Sequence, residues 1–215
     1  MNELELDNIF IPSKIPSKKL MIILHGRGDS SEGFTSLPPF FDIDEMNYIL
    51  LDAPFEYYSG FSWYPLPPNQ FTGIEYSSKV LTTVLDQLFK EKFNPQESFL
   101  FGFSQGSLLT FEFGARYQQV LAGYIAISGY IYDAKKLLQE INPHVKESQW
   151  LCTHGTSDGV LPYATSKKQV EVLQNAGFKI DFKVYDKDHT IVEDELTMIS
   201  QWIKKILYKD KSTCK

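Results

Sequence analysis

Apolar and polar positions fall into blocks along this chain, and the blocks read as strands alternating with helices. Lys19 to Leu24 is almost continuously apolar, as a strand covered on both faces must be. Tyr48 to Leu51 and Ser98 to Phe103 have the same character. Leu121 to Ser128 and Gln149 to Thr153 predict two more strands, and Phe178 to Tyr185 alternates as a half-covered one. Looser alternation from Leu4 to Ile11 predicts an edge strand, closed by the proline-bearing turn Ile11 to Pro16. Between these runs the spacing becomes helical. Gly73 to Phe93 places Ile74, Val80, Leu81, Val84, Leu85, Leu88 and Phe89 on one face. Helices are also predicted around Ser31 to Phe41, from Gln105 to about Tyr117, and over Asp133 to Ile141, Tyr163 to Ala176 and Ile191 to Tyr208. Pro162 suits a helix start, and Gly177 a helix stop.

The stretch from Phe55 to Phe71 has no convincing periodicity and is dense in aromatics and prolines. A long aperiodic segment is usually functional or disordered, and the aromatic load argues against disorder. The alternation elsewhere predicts an α/β fold, a mostly parallel sheet flanked by helices on both faces. Such sheets bind ligands beyond the carboxyl ends of their strands. The polar clusters at His25, Ser104, Asp158 and His189 each follow a predicted strand, so they should share one rim.

Composition narrows the picture modestly. A chain of 215 residues fits one domain spanning 1–215. Its 43% hydrophobic and 22% charged residues are those of an ordinary globular protein. The formal charge of −6 is spread along the chain and argues against nucleic acid as a partner. The acidic opening, Met1 to Asp7, is unlike a signal peptide, and no run approaches a membrane span. Cys152 lies in an apolar run and Cys214 in the polar tail, which argues against a disulfide framework. Cys214, next to last, is misplaced for prenylation. The expectation is a cytoplasmic protein without stable membrane insertion, and the reading admits a homodimer without requiring one.

The chemistry centres on Gly102-Phe103-Ser104-Gln105-Gly106. Gly-x-Ser-x-Gly arises by chance in roughly 7% of chains this long, so its context must carry the argument. Here a predicted strand precedes it and a predicted helix follows. A serine at such a turn projects its hydroxyl from a strained backbone. Gln105 opens the helix, so its backbone N–H is free to meet an anion. The hydroxyl needs a base. His189, after the last predicted strand, is the best placed of four histidines. Asp158, after the preceding strand, completes the order Ser, Asp, His. Asp186, Asp188 and Glu193 are rival carboxylates belonging to the histidine's own loop. His25 and His154 are expected to brace loops, and His144 to lie on the surface. A backbone N–H in His25-Gly26-Arg27-Gly28, with that of Gln105, could bind an oxyanion.

Six stretches taken together resemble the α/β-hydrolase superfamily, within it the compact carboxylesterase, lysophospholipase and acyl-protein thioesterase group. They are Leu24-His25-Gly26-Arg27-Gly28-Asp29, Phe61-Ser62-Trp63-Tyr64, the serine pentapeptide, Ile127-Ser128-Gly129-Tyr130, His154-Gly155-Thr156-Ser157-Asp158 and Asp188-His189. The resemblance implies Ser104, Asp158 and His189 as a catalytic triad and the backbone of Arg27 and Gln105 as oxyanion donors. It implies a metal-independent enzyme with no tightly bound cofactor. Two positions depart from the group's pattern. Arg27 stands where an apolar residue is common, and is expected to face solvent; Ser107 replaces a usual glycine. The aromatic segment is expected to wall an acyl pocket, with Trp63 and Tyr64 nearest the serine and Leu161 and Ile191 completing it. With no insertion long enough for a large lid, the expectation is a serine esterase for small or medium acyl esters. A protein-deacylating thioesterase or a lysophospholipase shares the same chemistry. From another class, a non-catalytic hydrolase-fold binding protein would not need the full set of groups.

Overall fold

The computed structural model describes residues 3–208. Cys214 lies outside the described residues, and Cys152 is a buried free thiol. The described residues form nine strands: β1 (Asn8–Ile11), β2 (Lys19–Leu24), β3 (Met46–Leu51), β4 (Phe55–Tyr57), β5 (Gly60–Ser62), β6 (Ser98–Phe103), β7 (Gly123–Ile127), β8 (Gln149–Gly155) and β9 (Lys179–Tyr185). The helices are α1 (Leu37–Phe41), α2 (Gln70–Glu91), α3 (Gln105–Glu112), α4 (Ala134–Glu140), α5 (Tyr163–Asn175) and α6 (Glu193–Leu207).

Seven strands join in the order β1-β3-β2-β6-β7-β8-β9. Only β1 runs antiparallel, paired with β3 at the edge where loose alternation placed it. The other pairs are parallel, with registers such as Ile22 beside Leu100 and Ala126 beside Cys152. Successive side chains point to opposite faces. Leu20, Ile22, Leu24, Leu100, Tyr124 and Trp150 therefore meet α2, α3, α4 and α5 on one side. Met21, Ile23, Phe99, Phe101, Ile125 and Leu151 meet α1 and α6 on the other. This is the mostly parallel sheet with helices on both faces that the alternation predicted, and the α/β-hydrolase fold that the resemblance implied. Among the described residues no helix is long and apolar enough to cross a membrane.

The aromatic segment departs from expectation. Phe55–Tyr57 and Gly60–Ser62 pair as a small antiparallel hairpin, and α2 begins at Gln70, three residues before the predicted start. The predicted helix at Ser31 to Phe41 is a 3₁₀ turn, Glu32–Phe34, followed by α1 with prolines in its first turn.

Candidate active site

Ser104 occupies the turn between β6 and α3 with φ 54° and ψ −111°, a backbone state rare for a side-chain-bearing residue. The surroundings hold it there. Its N–H donates to the Ile127 carbonyl at 2.9 Å, and its carbonyl accepts from Leu108 N–H at 3.1 Å. A Cβ at residue 102 would lie 2.2 Å from the Gly106 carbonyl oxygen, and one at residue 106 would lie 2.2 Å from that of Leu24. Only glycines allow strand and helix to meet so closely.

Three strand ends converge on this serine. His189, after β9, places Nε2 2.9 Å from Ser104 Oγ and Nδ1 2.8 Å from Asp158 Oδ2. The other carboxylate oxygen of Asp158 accepts backbone N–H bonds from Val160 at 2.9 Å and Leu161 at 2.8 Å. Burial pushes the Asp158 carboxyl up, but the hydrogen bonds from His189, Leu161 and Val160 outweigh it and hold the group below its usual range. The carboxylate with Nδ1 fixes the imidazole tautomer that leaves Nε2 free to accept from the serine hydroxyl. Of the rivals, Asp186 faces Ser157 Oγ at 3.4 Å, while Asp188 and Glu193 are exposed.

Arg27 and Gln105 bring their backbones to the same rim. Gln105 is the first residue of α3, and neither N–H has a backbone acceptor among the described residues. The Arg27 side chain is exposed and lies over the Tyr57 ring, 4.1 Å from its centroid. The hairpin grips this loop: Gly28 N–H donates to the Phe61 carbonyl at 2.7 Å, and Phe61 N–H to the Asp29 carbonyl at 2.8 Å. Gly28 has φ +83°, which suits glycine. The Gln105 side chain then ties the hairpin to the serine turn. Its Oε1 accepts from Trp63 N–H at 2.9 Å and Ser62 Oγ–H at 3.1 Å, and its Nε2 donates to the Tyr64 carbonyl at 2.8 Å.

These contacts correct two expected pocket walls. Trp63 and Tyr64 are 0% and 2% exposed, so neither presents a surface to substrate. Trp63 Nε1 donates to the His25 carbonyl at 3.0 Å, and its own carbonyl accepts from Ser77 Oγ–H. The pair underpins the loop that follows His25. Leu161 serves the site through its backbone: besides its N–H on Asp158, its carbonyl lies 2.8 Å from His154 Nε2. Ile191 does line a cavity, of about 410 Å³, together with Phe34, Leu37, Phe40, Phe103, His189 and Leu196, with Asp29 and Glu193 also on its wall. Ser107 is fully buried behind the turn.

His25 and His154 are loop braces, as read. His25 Nε2 accepts from Ala53 N–H at 3.1 Å, and Nδ1 donates to the Gly26 carbonyl at 2.6 Å. Burial lowers the pKa of both imidazoles. Unfolded histidines take up protons below about pH 6.5, while these resist, so the unfolded chain binds more protons there. Stability from this source is complete above that pH and lost as pH falls through it. The melting temperature should drop between about pH 7.5 and pH 5.5, less steeply in His154→Gln; a flat profile would contradict this. The Asp158 contribution follows the carboxylate rule, fading only as pH falls below the ordinary aspartate range.

A mostly parallel sheet carrying a serine on a strand-to-helix turn, with a histidine and an aspartate from later strand ends beside it, has the make-up of an α/β hydrolase. The chain belongs to the phospholipase/carboxylesterase family, whose pattern matches residues 7–207. It is 28% identical to carboxylesterase SOBER1 of Arabidopsis thaliana over 92% of this chain and 95% of that protein. It is 31% identical to acyl-protein thioesterase 1 of Candida albicans over 94% of this chain and 98% of that protein. The crystal structure of esterase PE8 superimposes with a TM-score of 0.87 at 26% identity, covering 95% of this chain and all of that one. The protein is a serine hydrolase acting on esters.

Proposed function

We propose that this enzyme hydrolyses carboxylic esters of small or medium acyl chain through an acyl-enzyme, with Ser104 as nucleophile, His189 as base and Asp158 as its partner. The observation that carries the reading is the unbroken line from Asp158 Oδ2 through the imidazole to Ser104 Oγ, at 2.8 and 2.9 Å. Ser104 Oγ attacks the ester carbonyl while His189 Nε2 takes its proton. The carbonyl oxygen becomes an oxyanion facing the N–H groups of Arg27 and Gln105, where one donor is typically worth about 10²–10³ in rate. The imidazolium, steadied by Asp158, returns the proton to the departing alkoxide. Water, deprotonated by the same imidazole, then attacks the acyl-enzyme and releases acid and free serine.

The departing group leaves past the imidazole, on the side of the 410 Å³ cavity that His189, Ile191 and Phe103 line. The apolar side chains there suit a hydrophobic alcohol. The Asp29 and Glu193 carboxylates on the same wall disfavour an anionic one. Identity of 31% to an acyl-protein thioesterase supports a second reading in which the leaving group is a thiolate. The complete set of serine, base, carboxylate and donors speaks against a non-catalytic binding role.

A fluorophosphonate should label the protein with one adduct per chain, located by peptide mass spectrometry at Ser104. Labelling elsewhere, or none, would overturn the reading. A p-nitrophenyl ester series from acetate to palmitate, with matching thioesters and a lysophospholipid, then decides the substrate class. A peak at short to medium esters is expected, and a dominant thioester rate would favour the second reading.

A further inference from the structure

Two residues before His189, a lysine points inward. Lys187 is 5% exposed and Glu195, in the first turn of α6, is 0% exposed. Lys187 Nζ reaches Oε1 and Oε2 of Glu195 at 2.7 and 2.5 Å, and the Thr190 carbonyl at 2.7 Å. An ammonium group has three donors, and all three are used. Glu195 Oε2 also accepts from Val192 N–H at 3.3 Å, which caps α6. On the other side, the Lys187 carbonyl accepts from Ser157 N–H at 3.2 Å, one residue before Asp158.

We propose that the buried Lys187–Glu195 pair positions His189, holding the imidazole on the line between Asp158 and Ser104. The inference rests on the triad reading above. Its argument is topological. The chain is tied at residue 187 to the Asp158 loop, and at residue 190 to the ammonium of residue 187. The ammonium is tied in turn to the helix that follows. His189 lies between the two pinned points, its ring packed on Phe103 with centroids 5.1 Å apart.

Stability does not account for the pair. Replacing a buried ion pair by apolar side chains of similar volume is often neutral or stabilising, because two desolvated charges offset much of their own attraction. Two apolar side chains could fill the same space, but they could not hold the Thr190 carbonyl. The part of the arrangement that requires a hydrogen-bond donor on residue 187 is therefore the tether beside the histidine. Lys187 is a positioning residue: it touches neither substrate nor the reacting atoms.

The test is the double variant Lys187→Met/Glu195→Leu, which removes both charges together. It is expected to melt near the wild-type temperature, to lose about 10- to 100-fold in kcat and to keep KM close to wild type. The rate of Ser104 phosphonylation should fall by the same factor, because that reaction also needs the activated hydroxyl. The His189–Asp158 hydrogen-bond proton, expected far downfield in the wild-type proton NMR spectrum, should broaden or vanish in the variant. Wild-type kcat and labelling rate in a folded double variant would overturn the inference, as would a change confined to KM. If the double variant fails to fold, Lys187→Met carries the same test, because it too leaves the Thr190 carbonyl without a donor, with rates scored per folded molecule. His189→Ala run alongside separates the two levels. Undiminished activity in that variant refutes the triad reading, whereas its collapse beside a fully active double variant refutes the positioning role alone.

Discussion

Ser104→Ala is expected to lower kcat on p-nitrophenyl esters by on the order of 10⁵–10⁶, with His189→Ala nearly as damaging and the double variant no worse. The equality follows from shared work. The hydroxyl lies 2.9 Å from His189 Nε2, and neither group has a role in the proposed chemistry without the other. Alanine keeps the Cβ that the φ of 54° already accommodates, so the turn should keep its shape and the variants should melt near wild type. Steady-state rates with stopped-flow burst analysis check this. Losses that multiply in the double variant would mean that the residues act independently, and the proposed mechanism would be wrong.

Asp158→Asn is expected to cost about 10⁴ in kcat. The amide can keep the bonds from Val160 and Leu161, so the loop survives. What it cannot do is hold a proton on Nδ1. An amide NH₂ turned toward the ring selects the opposite tautomer, which presents N–H rather than a lone pair to Ser104. The transient imidazolium also loses its counter-charge. In the wild type this carboxylate lies below its ordinary range, so mild acid does not neutralise it. Asp186→Asn and Asp188→Asn provide the contrast, since those side chains face Ser157 and solvent and should leave kcat close to wild type. A fall of similar size in either would transfer the role away from Asp158.

The parts of this molecule legible in the sequence are those whose cause is local. Continuous apolar runs at Lys19–Leu24 and Ser98–Phe103 give β2 and β6, because a strand covered on both faces can tolerate nothing else. The rim follows from topology: parallel strands end on the same side, so Ser104, Asp158 and His189 meet although 85 residues separate the first from the last. The β4–β5 hairpin was illegible because each strand has three residues, too few to show alternation. Trp63 and Tyr64 looked like pocket aromatics, and only the packing of α2 and the His25 loop shows them buried. Gln105 stands out in sequence only for its N–H at the helix start, while its side-chain amide joins the hairpin to the turn. Lys187 and Glu195 carry no sequence mark, because a buried lysine and a solvated one read alike.

Since β9, the His189 loop and α6 follow the serine turn and Asp158 along the chain, the order of synthesis matters to when chemistry can begin. A nascent polypeptide that has reached α5 already holds the serine turn, both oxyanion loops and Asp158, but no proton acceptor for the hydroxyl. On the mechanism proposed, translation products truncated before residue 189, and chains nicked by a protease at the β9 exit that shed the His189 loop and α6, would be inert. With the purified protein, activity would therefore report chains that carry the histidine loop.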